Sequence, residues 1–238
     1  MEQARDRICL IVAGGSGSRI GGEIPKQLLL LSGKPLIAYT INAILSAMPG
    51  LPIVISSHPE LIRNWKDVEK HLIRDAGPHR IELTPGGSTR CASVQNGLEA
   101  IQESRNSLGL TTDDPLVAIH DGVRPFLSSL ILLSAFATAG KSGNAVVCVP
   151  VKASLRKRIA TGTIALDRSE YLEVQTPQIF RLKPILDCYR KRTHDDFTDD
   201  ASLAEFFGHQ IATCKGSHEN IKLTTVEDFA IAKRLLKK

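Results

Sequence analysis

The chain has 238 residues, 42% of them hydrophobic, which suits one α/β domain with a substantial core. A net charge of +5 suits small polyanionic ligands or weak nucleic-acid contact, but 5% aromatics argue against a base-stacking platform and no block of basic residues resembles a nucleic-acid tail. There is no apolar run of about 18 residues to span a membrane, and the start MEQARDRICLIVAGG, with Glu2 and Asp6 in the would-be n-region and glycines after a short apolar stretch, reads against a signal peptide. The five cysteines (Cys9, Cys91, Cys148, Cys188 and Cys214) lack C-x-x-C spacing and read as buried small apolar residues. The expectation is a cytoplasmic protein with no nucleic-acid partner and no membrane contact.

In chain order, ICLIVAG (8–14) is a continuous apolar run ending in glycine, a strand buried on both faces. Helical spacing covers 34–48, with Pro35 at its start and Pro49-Gly50 beyond its end. A buried strand follows at 51–59, then an amphipathic helix at 61–76. HRIELTPGG (79–87) is a strand running into a turn, and 88–104 a helix with Ser88 as its N-cap. PLVAIHDGVRPF (115–126) is a buried strand with a polar end; 128–143 is a helix closed by Gly140 or Gly143; 144–151 is another strand. This alternation predicts an α/β, Rossmann-like, mostly parallel sheet with helices on both faces, with ligands beyond the carboxyl ends of the strands.

The pattern then breaks. Residues 151–180 alternate in short stretches about Thr161-Gly162-Thr163 and read as a β-ribbon with too few large apolar residues for a core of its own. A protruding arm over 151–175 that packs on a second subunit is the expectation; the rival is a solvated hairpin. Helices return at 181–192 and 199–210, a last strand at 210–217, and a last helix at 225–238 capped by Thr224 or Thr225.

The glycine loop AGGSGSRIGGEIPKQ (13–27) is neither of the common phosphate loops. Spacing from Gly17 to Gly22 starts a G-x-x-x-x-G-K-[ST] motif, but Glu23-Ile24 stand where Lys and Ser or Thr are needed. Gly15 and Gly17 start G-x-G-x-x-G, but Ile20 holds the third position, and no acid between Glu23 and Glu60 is present to take a ribose. A bare tight turn would explain the glycines. It would not explain Arg19 and Lys26 on either side of Pro25, which suit an anion nest and a triphosphate whose charge spreads in a transition state.

That loop resembles the signature loop of sugar-phosphate nucleotidyltransferases, and the chain as a whole more narrowly resembles the 2-C-methyl-D-erythritol 4-phosphate cytidylyltransferase family of non-mevalonate isoprenoid synthesis. GGSTRCASVQNGL (86–98), HDGVRPF (120–126), QTPQIF (175–180), TDDASLAE (198–205) and NIKLTT (220–225) follow in that family's order and cover nearly the full chain. The resemblance implies transfer of CMP from CTP to a sugar-alcohol phosphate, Mg²⁺ as cofactor, and a homodimer. It implies CTP contacts at Ala13, Gly14, Gly15 and Gly17, and cytosine contacts at Gly86, Gly87, Ser88 and Ser93. Arg19 and Lys26 would be catalytic, and Asp121 would bind substrate or metal. Arg124, Ser154, Thr176 and Lys222 would meet substrate, with Arg168 reaching in from the second subunit.

Blander readings stand beside these. Gly86-Gly87 fits an ordinary strand-to-helix turn, and Asp121 fits a turn cap paired with Arg124. Lys152, Arg156, Lys157 and Arg158 read as a solvated ribbon face, His120 as a structural residue, and Asp199 and Asp200 as helix-capping groups that brace the basic site. The chain departs from the family at Ala13-Gly14-Gly15, often Ala-Ala-Gly, at Ser88, often acidic there, at Ala153-Ser154, often Asp-Thr, and at Gly122-Val123 within the D-A-A-R run. Ribitol 5-phosphate as acceptor, and a non-catalytic nucleotide sensor on the same fold, remain as alternatives.

Overall fold

The computed structural model describes residues 6–15, 24–73 and 80–237. Strand β1 (Arg7–Ala13) shows how the core is divided. Cys9 and Ile11 face one apolar cluster, Ile8 and Leu10 the other, as the two-residue period of a doubly covered strand requires. The first cluster is closed by α1 (Leu36–Ala47) and α5 (Ser129–Ser142), the second by α4 (Arg90–Glu103) and α6 (Leu182–Lys191). Helix α4 lies so close to β1 that a Cβ at Gly97 would come within 2.3 Å of Leu10 Cδ1.

The remaining strands are β2 (Leu30–Leu31), β3 (Lys34–Pro35), β4 (Ile53–Ser57), β5 (Ile81–Pro85), β6 (Leu116–Asp121), β7 (Asn144–Pro150), β8 (Leu155–Ile159), β9 (Gly162–Leu166), β10 (Leu172–Arg181) and β11 (Thr213–Lys215). Seven form one sheet in the order β11-β7-β10-β6-β1-β4-β5. Every pairing is parallel except those of β10 with β6 and β7. The mostly parallel α/β sheet read from the sequence is therefore the observed one. The chain runs from β1 outward through β4 to β5, then crosses back to lay β6 on the other side of β1. A crevice opens at such a reversal, beyond the carboxyl ends of β1 and β6.

Several boundaries differ from the expectation. The helix expected over 61–76 is, in its described part up to residue 73, two short ones, α2 (Pro59–Arg63) and α3 (Trp65–Glu69); residues 74–76 lie outside the described residues. Asn64 separates them: its side-chain amide bonds back to the Glu60 carbonyl at 2.7 Å, and its ψ of 15° leaves the helical range. Thr89, not Ser88, caps α4, accepting the Ala92 N–H at 3.0 Å. Helix α5 closes at Gly143, with φ +82°, rather than at Gly140. The β2–β3 hairpin was not read from the sequence; Ser32 (φ 49°) and Gly33 (φ 84°) form its tight two-residue turn.

The ribbon is shorter than expected. Only β8 and β9 form it, and from Leu172 the chain is back in the main sheet, so the arm limit at 175 runs into β10. Helix α7 (Asp200–Phe206) is capped by Asp199 and helix α8 (Val226–Leu235) by Thr225, each with a capping box. A third apolar cluster, from Leu31 and Leu36 to Val123, Leu223 and Ala232, seats the loops after β6 and before α8 side by side. Among the described residues no helix is long and apolar enough to cross a membrane.

Candidate active site

The turns after β1 and β5 meet backbone to backbone. A Cβ on Gly86 would stand 3.0 Å from Gly14 Cα, and one on Gly14 would stand 2.5 Å from Ser93 Oγ, so both positions need glycine. Gln27 fixes the β1 turn: its Nε2 donates to the carbonyls of Ala13 at 3.0 Å and Gly15 at 3.1 Å. Ser93 fixes the β5 turn, accepting the Gly87 N–H at 3.0 Å and donating to the Thr89 carbonyl at 2.8 Å. These contacts bound a cavity of about 540 Å³ whose wall includes Gly14, Gly15, Lys26, Gly87, Ser88 and Ser93.

Asp121 ends β6 at the floor of this cavity. Lys222 Nζ lies 3.0 Å and Arg124 Nε 3.3 Å from its Oδ2, and Arg90 Nε lies 3.8 Å from its Oδ1. Burial opposes ionisation of this carboxyl. The three cations outweigh it and hold the group well below the usual carboxylate range. His120 beneath it is fully buried and neutral, its pKa lowered to about 4 chiefly by desolvation. Its Nε2 lies 3.2 Å from the Arg124 carbonyl and its Nδ1 3.0 Å from the Thr176 hydroxyl, which itself accepts the Asp121 N–H at 3.1 Å. With Nε2 donating to a carbonyl, Nδ1 is the acceptor, the tautomer this network selects. With both nitrogens engaged, His120 is a support for Asp121 and not a base.

A second cavity of about 260 Å³ adjoins the first and shares Arg90, Asp121 and Lys222 with it. Arg124, Thr176, Thr198 and Asp199 complete much of its wall. Lys222 is carried there by a pinned segment. Arg124 Nη1 donates to the Asn220 carbonyl at 2.8 Å, Asn220 Nδ2 donates to the Thr176 carbonyl at 2.8 Å, and the Leu223 N–H donates to the Val123 carbonyl at 3.0 Å.

The fold thus gathers Ala13, Gly14, Gly15, Lys26, Gly86, Gly87, Ser88, Ser93, Asp121, Arg124, Thr176 and Lys222 about one crevice. Arg19 and Gly17 lie outside the described residues. Ser154 and Arg168 are not brought to either cavity: both are exposed at the root of the arm, where Arg168 Nη1 donates to the Lys152 carbonyl at 2.5 Å.

Three residues escaped the sequence reading: Gln27, Asn220 and Arg90. Gln27 directly follows Lys26, and Asn220 opens the NIK run. Arg90 carried a clearer signal. It is the first residue of α4, where the helix dipole disfavours a cation, and local rules tend to be broken where function requires it. Its guanidinium is gripped bidentately by Asp200, at 2.8 Å from each oxygen.

The family model described as "IspD: 2-C-methyl-D-erythritol 4-phosphate cytidylyltransferase" matches residues 8–238. The chain belongs to that family. It is 39% identical over 237 residues to the 2-C-methyl-D-erythritol 4-phosphate cytidylyltransferase of Porphyromonas gingivalis W83, covering 99% of each chain. With the enzyme of that name from Phocaeicola vulgatus it shares 34% identity over 233 residues, 97% of this chain and 100% of the other. The crystal structure of 4-diphosphocytidyl-2C-methyl-D-erythritol synthase from Anaerococcus prevotii superposes with a TM-score of 0.79 at 25% identity, covering 99% of this chain and 100% of that one. A cytidylyltransferase is a nucleotidyltransferase, and the α/β fold expected from the strand–helix alternation and the enzyme class implied by the resemblance are those of this family.

Proposed function

We propose that this chain transfers the cytidylyl group of CTP to the phosphate of 2-C-methyl-D-erythritol 4-phosphate and releases pyrophosphate. One observation carries the reading to the residues: two cavities meet at a shared wall of Arg90, Asp121 and Lys222, so two ligands can be held with their charged ends together. The larger cavity, with its glycine walls and Lys26, takes the nucleotide. Ser88 and the Gly86-Gly87 backbone face the base. The smaller one, with Arg124, Thr176 and Lys222, takes the acceptor phosphate.

An acceptor phosphate oxygen bonds to the α-phosphorus as the bond from that phosphorus to the bridging oxygen of the departing pyrophosphate breaks. The nucleophile is already anionic, so no general base is needed. Lys26, with Arg19, offsets charge on the phosphoryl oxygens, and catalysis is positioning plus electrostatics. For a divalent ion, Mg²⁺, the fitting protein ligand is Asp121, a buried carboxylate at the junction. The described residues contain no cluster of three acidic, imidazole or thiol groups, so phosphate oxygens and water would supply the rest of the shell. Bound there, the ion would neutralise phosphate charge.

The arm supports a homodimer. Strand register puts Leu155, Ile159, Ile164 and Leu166 on one face, with Lys157 opposite Ile164 as its one cation, and Ile159 and Ile164 stay 41% and 44% exposed. A lone two-stranded ribbon is marginal in water and gains from covering such a face. Pairing through it would let the partner subunit's Arg168 reach the acceptor cavity. Five free thiols suit a reducing cytoplasm.

The test offers CTP and Mg²⁺ with methylerythritol phosphate or ribitol 5-phosphate separately and follows pyrophosphate. Release with the first alone is expected. Release with the second alone would move the acceptor assignment, and release with neither would favour a sensor.

A further inference from the structure

Arg90 is a cation on the wall of both cavities. Its guanidinium lies in a rigid frame. Asp200, at the start of α7 and with no exposed surface, binds Nη1 and Nη2 at 2.8 Å each. The Tyr189 hydroxyl donates to Asp200 Oδ1 at 2.5 Å, which fixes the carboxylate in turn. Desolvation disfavours the Arg90 charge, but Asp200 more than compensates and raises its pKa well above the ordinary arginine value, so the cation is permanent. The frame also joins the two halves of the site. Thr89 bonds Asp195 at 2.6 Å and Arg192 bonds Gln95, so the first turns of α4, which follow the Gly86–Ser88 loop, are fastened to segment 189–200, which carries Thr198 and Asp199.

We propose that Arg90 is a further catalytic cation, placed where the acceptor phosphate and the α-phosphate of the nucleotide approach each other, and that Asp200 is its positioning residue. The inference rests on the cytidylyl-transfer reading. Two anions must be brought together before the new bond forms, and a cation lining both cavities lowers their repulsion throughout the approach. The planar fork suits this: the Asp200 carboxylate takes one N–H from each of Nη1 and Nη2, Nε lies 3.8 Å from Asp121 Oδ1, and the side chain keeps part of its surface on the wall of both cavities. Asp200 has no route to a substrate, so any effect it has on turnover passes through Arg90.

Chemical rescue separates this role from packing. Arg90→Ala is expected to lower kcat about 100-fold, the scale of one lost electrostatic contact at a transition state. It leaves Asp200 as an open receptor for one guanidinium ion. Low-millimolar guanidinium chloride should restore about 10-fold of the loss, ammonium chloride should not, and Arg90→Ala/Asp200→Leu should be unresponsive. Asp200→Asn keeps size and shape and should lower kcat about 10-fold; it also lowers the thermal midpoint, because a buried ion pair is broken, so kcat is read below that midpoint on protein shown to be folded, which provides a second test if Arg90→Ala folds poorly. Unchanged kcat in both variants, or a loss in Arg90→Ala that guanidinium does not relieve, overturns the proposal. A rescue that survives Asp200→Leu overturns the positioning role. Wild-type protein in the same assay reports separately on the parent reading: turnover without any Arg90 effect sinks only this inference.

Discussion

The crevice and the arm are both rich in cations and treat them in opposite ways. In the crevice Arg90, Arg124 and Lys222 converge on Asp121, and the two arginines have further fixed partners in Asp200 and the Asn220 carbonyl. On the arm Arg156 and Arg158 are exposed on one face of the ribbon and Lys157 on the other, opposite Ile164, and Arg156 bonds across its own hairpin to Thr163, at 2.7 and 3.0 Å. The difference teaches that a cation's surroundings decide its use. Where the fold has already paid the cost of ordering the side chain, the charge can act on a ligand; where it has not, the charge keeps the surface wet while the apolar side of the ribbon waits for cover.

The largest effect that would break this contrast is at Lys26. Lys26→Ala should lower kcat about 10²–10³-fold while leaving the thermal midpoint within a few degrees. Single-turnover rates and a melting curve on one preparation check both halves, and near-normal turnover would remove the crevice's claim to the chemistry. A smaller effect belongs to the arm. Ile164→Glu should shift the protein from dimer to monomer in sedimentation. Arg168→Ala should raise the acceptor KM about 10-fold, near the value of one charge-assisted hydrogen bond, while staying dimeric. A monomeric wild type, or an Arg168→Ala variant that loses CTP affinity instead, would reduce the arm to a solvated hairpin.

The smallest effect sharpens the contrast through pH. The folded-state pKa of His120 is depressed to about 4, so folding favours its neutral form. Its contribution is full above the unfolded value near 6.5 and is lost as pH falls toward about 4, amounting to about 3 kcal/mol over that window. Asp121, also depressed, loses its contribution only as pH falls further, below the ordinary carboxylate range. Urea unfolding across this interval should show stability falling with pH in the wild type and a flatter profile in His120→Gln. Parallel profiles would place the acid sensitivity elsewhere.

Much of this was legible before the fold was seen. Apolar runs ending in polar residues marked β1, β4 and β6, and the carboxyl ends of β1 and β6 did become the crevice, because doubly covered strands leave a sharp hydrophobic record. The capping roles of Asp199 and Thr225 were visible for the same local reason. Elsewhere the record was ambiguous. The break at Asn64 depends on one side chain returning to a carbonyl, which periodicity does not register. Arg90 could not be linked to Asp200, because 110 residues separate them and only the packing of α4 against α6 and α7 brings them together. Arg168 and Ser154 stand apart from the crevice, exposed at the root of the arm, and joining it would take the second subunit that we propose, which no local pattern in one chain records.

The most direct test of cytidylyl transfer at the shared wall is the phosphorus NMR spectrum of wild-type protein turning over CTP with methylerythritol phosphate and Mg²⁺. The account predicts two mutually coupled resonances of a new diphosphate diester, appearing in step with free pyrophosphate and absent without acceptor. Inorganic phosphate with CDP, or pyrophosphate formed at the same rate without acceptor, would contradict it.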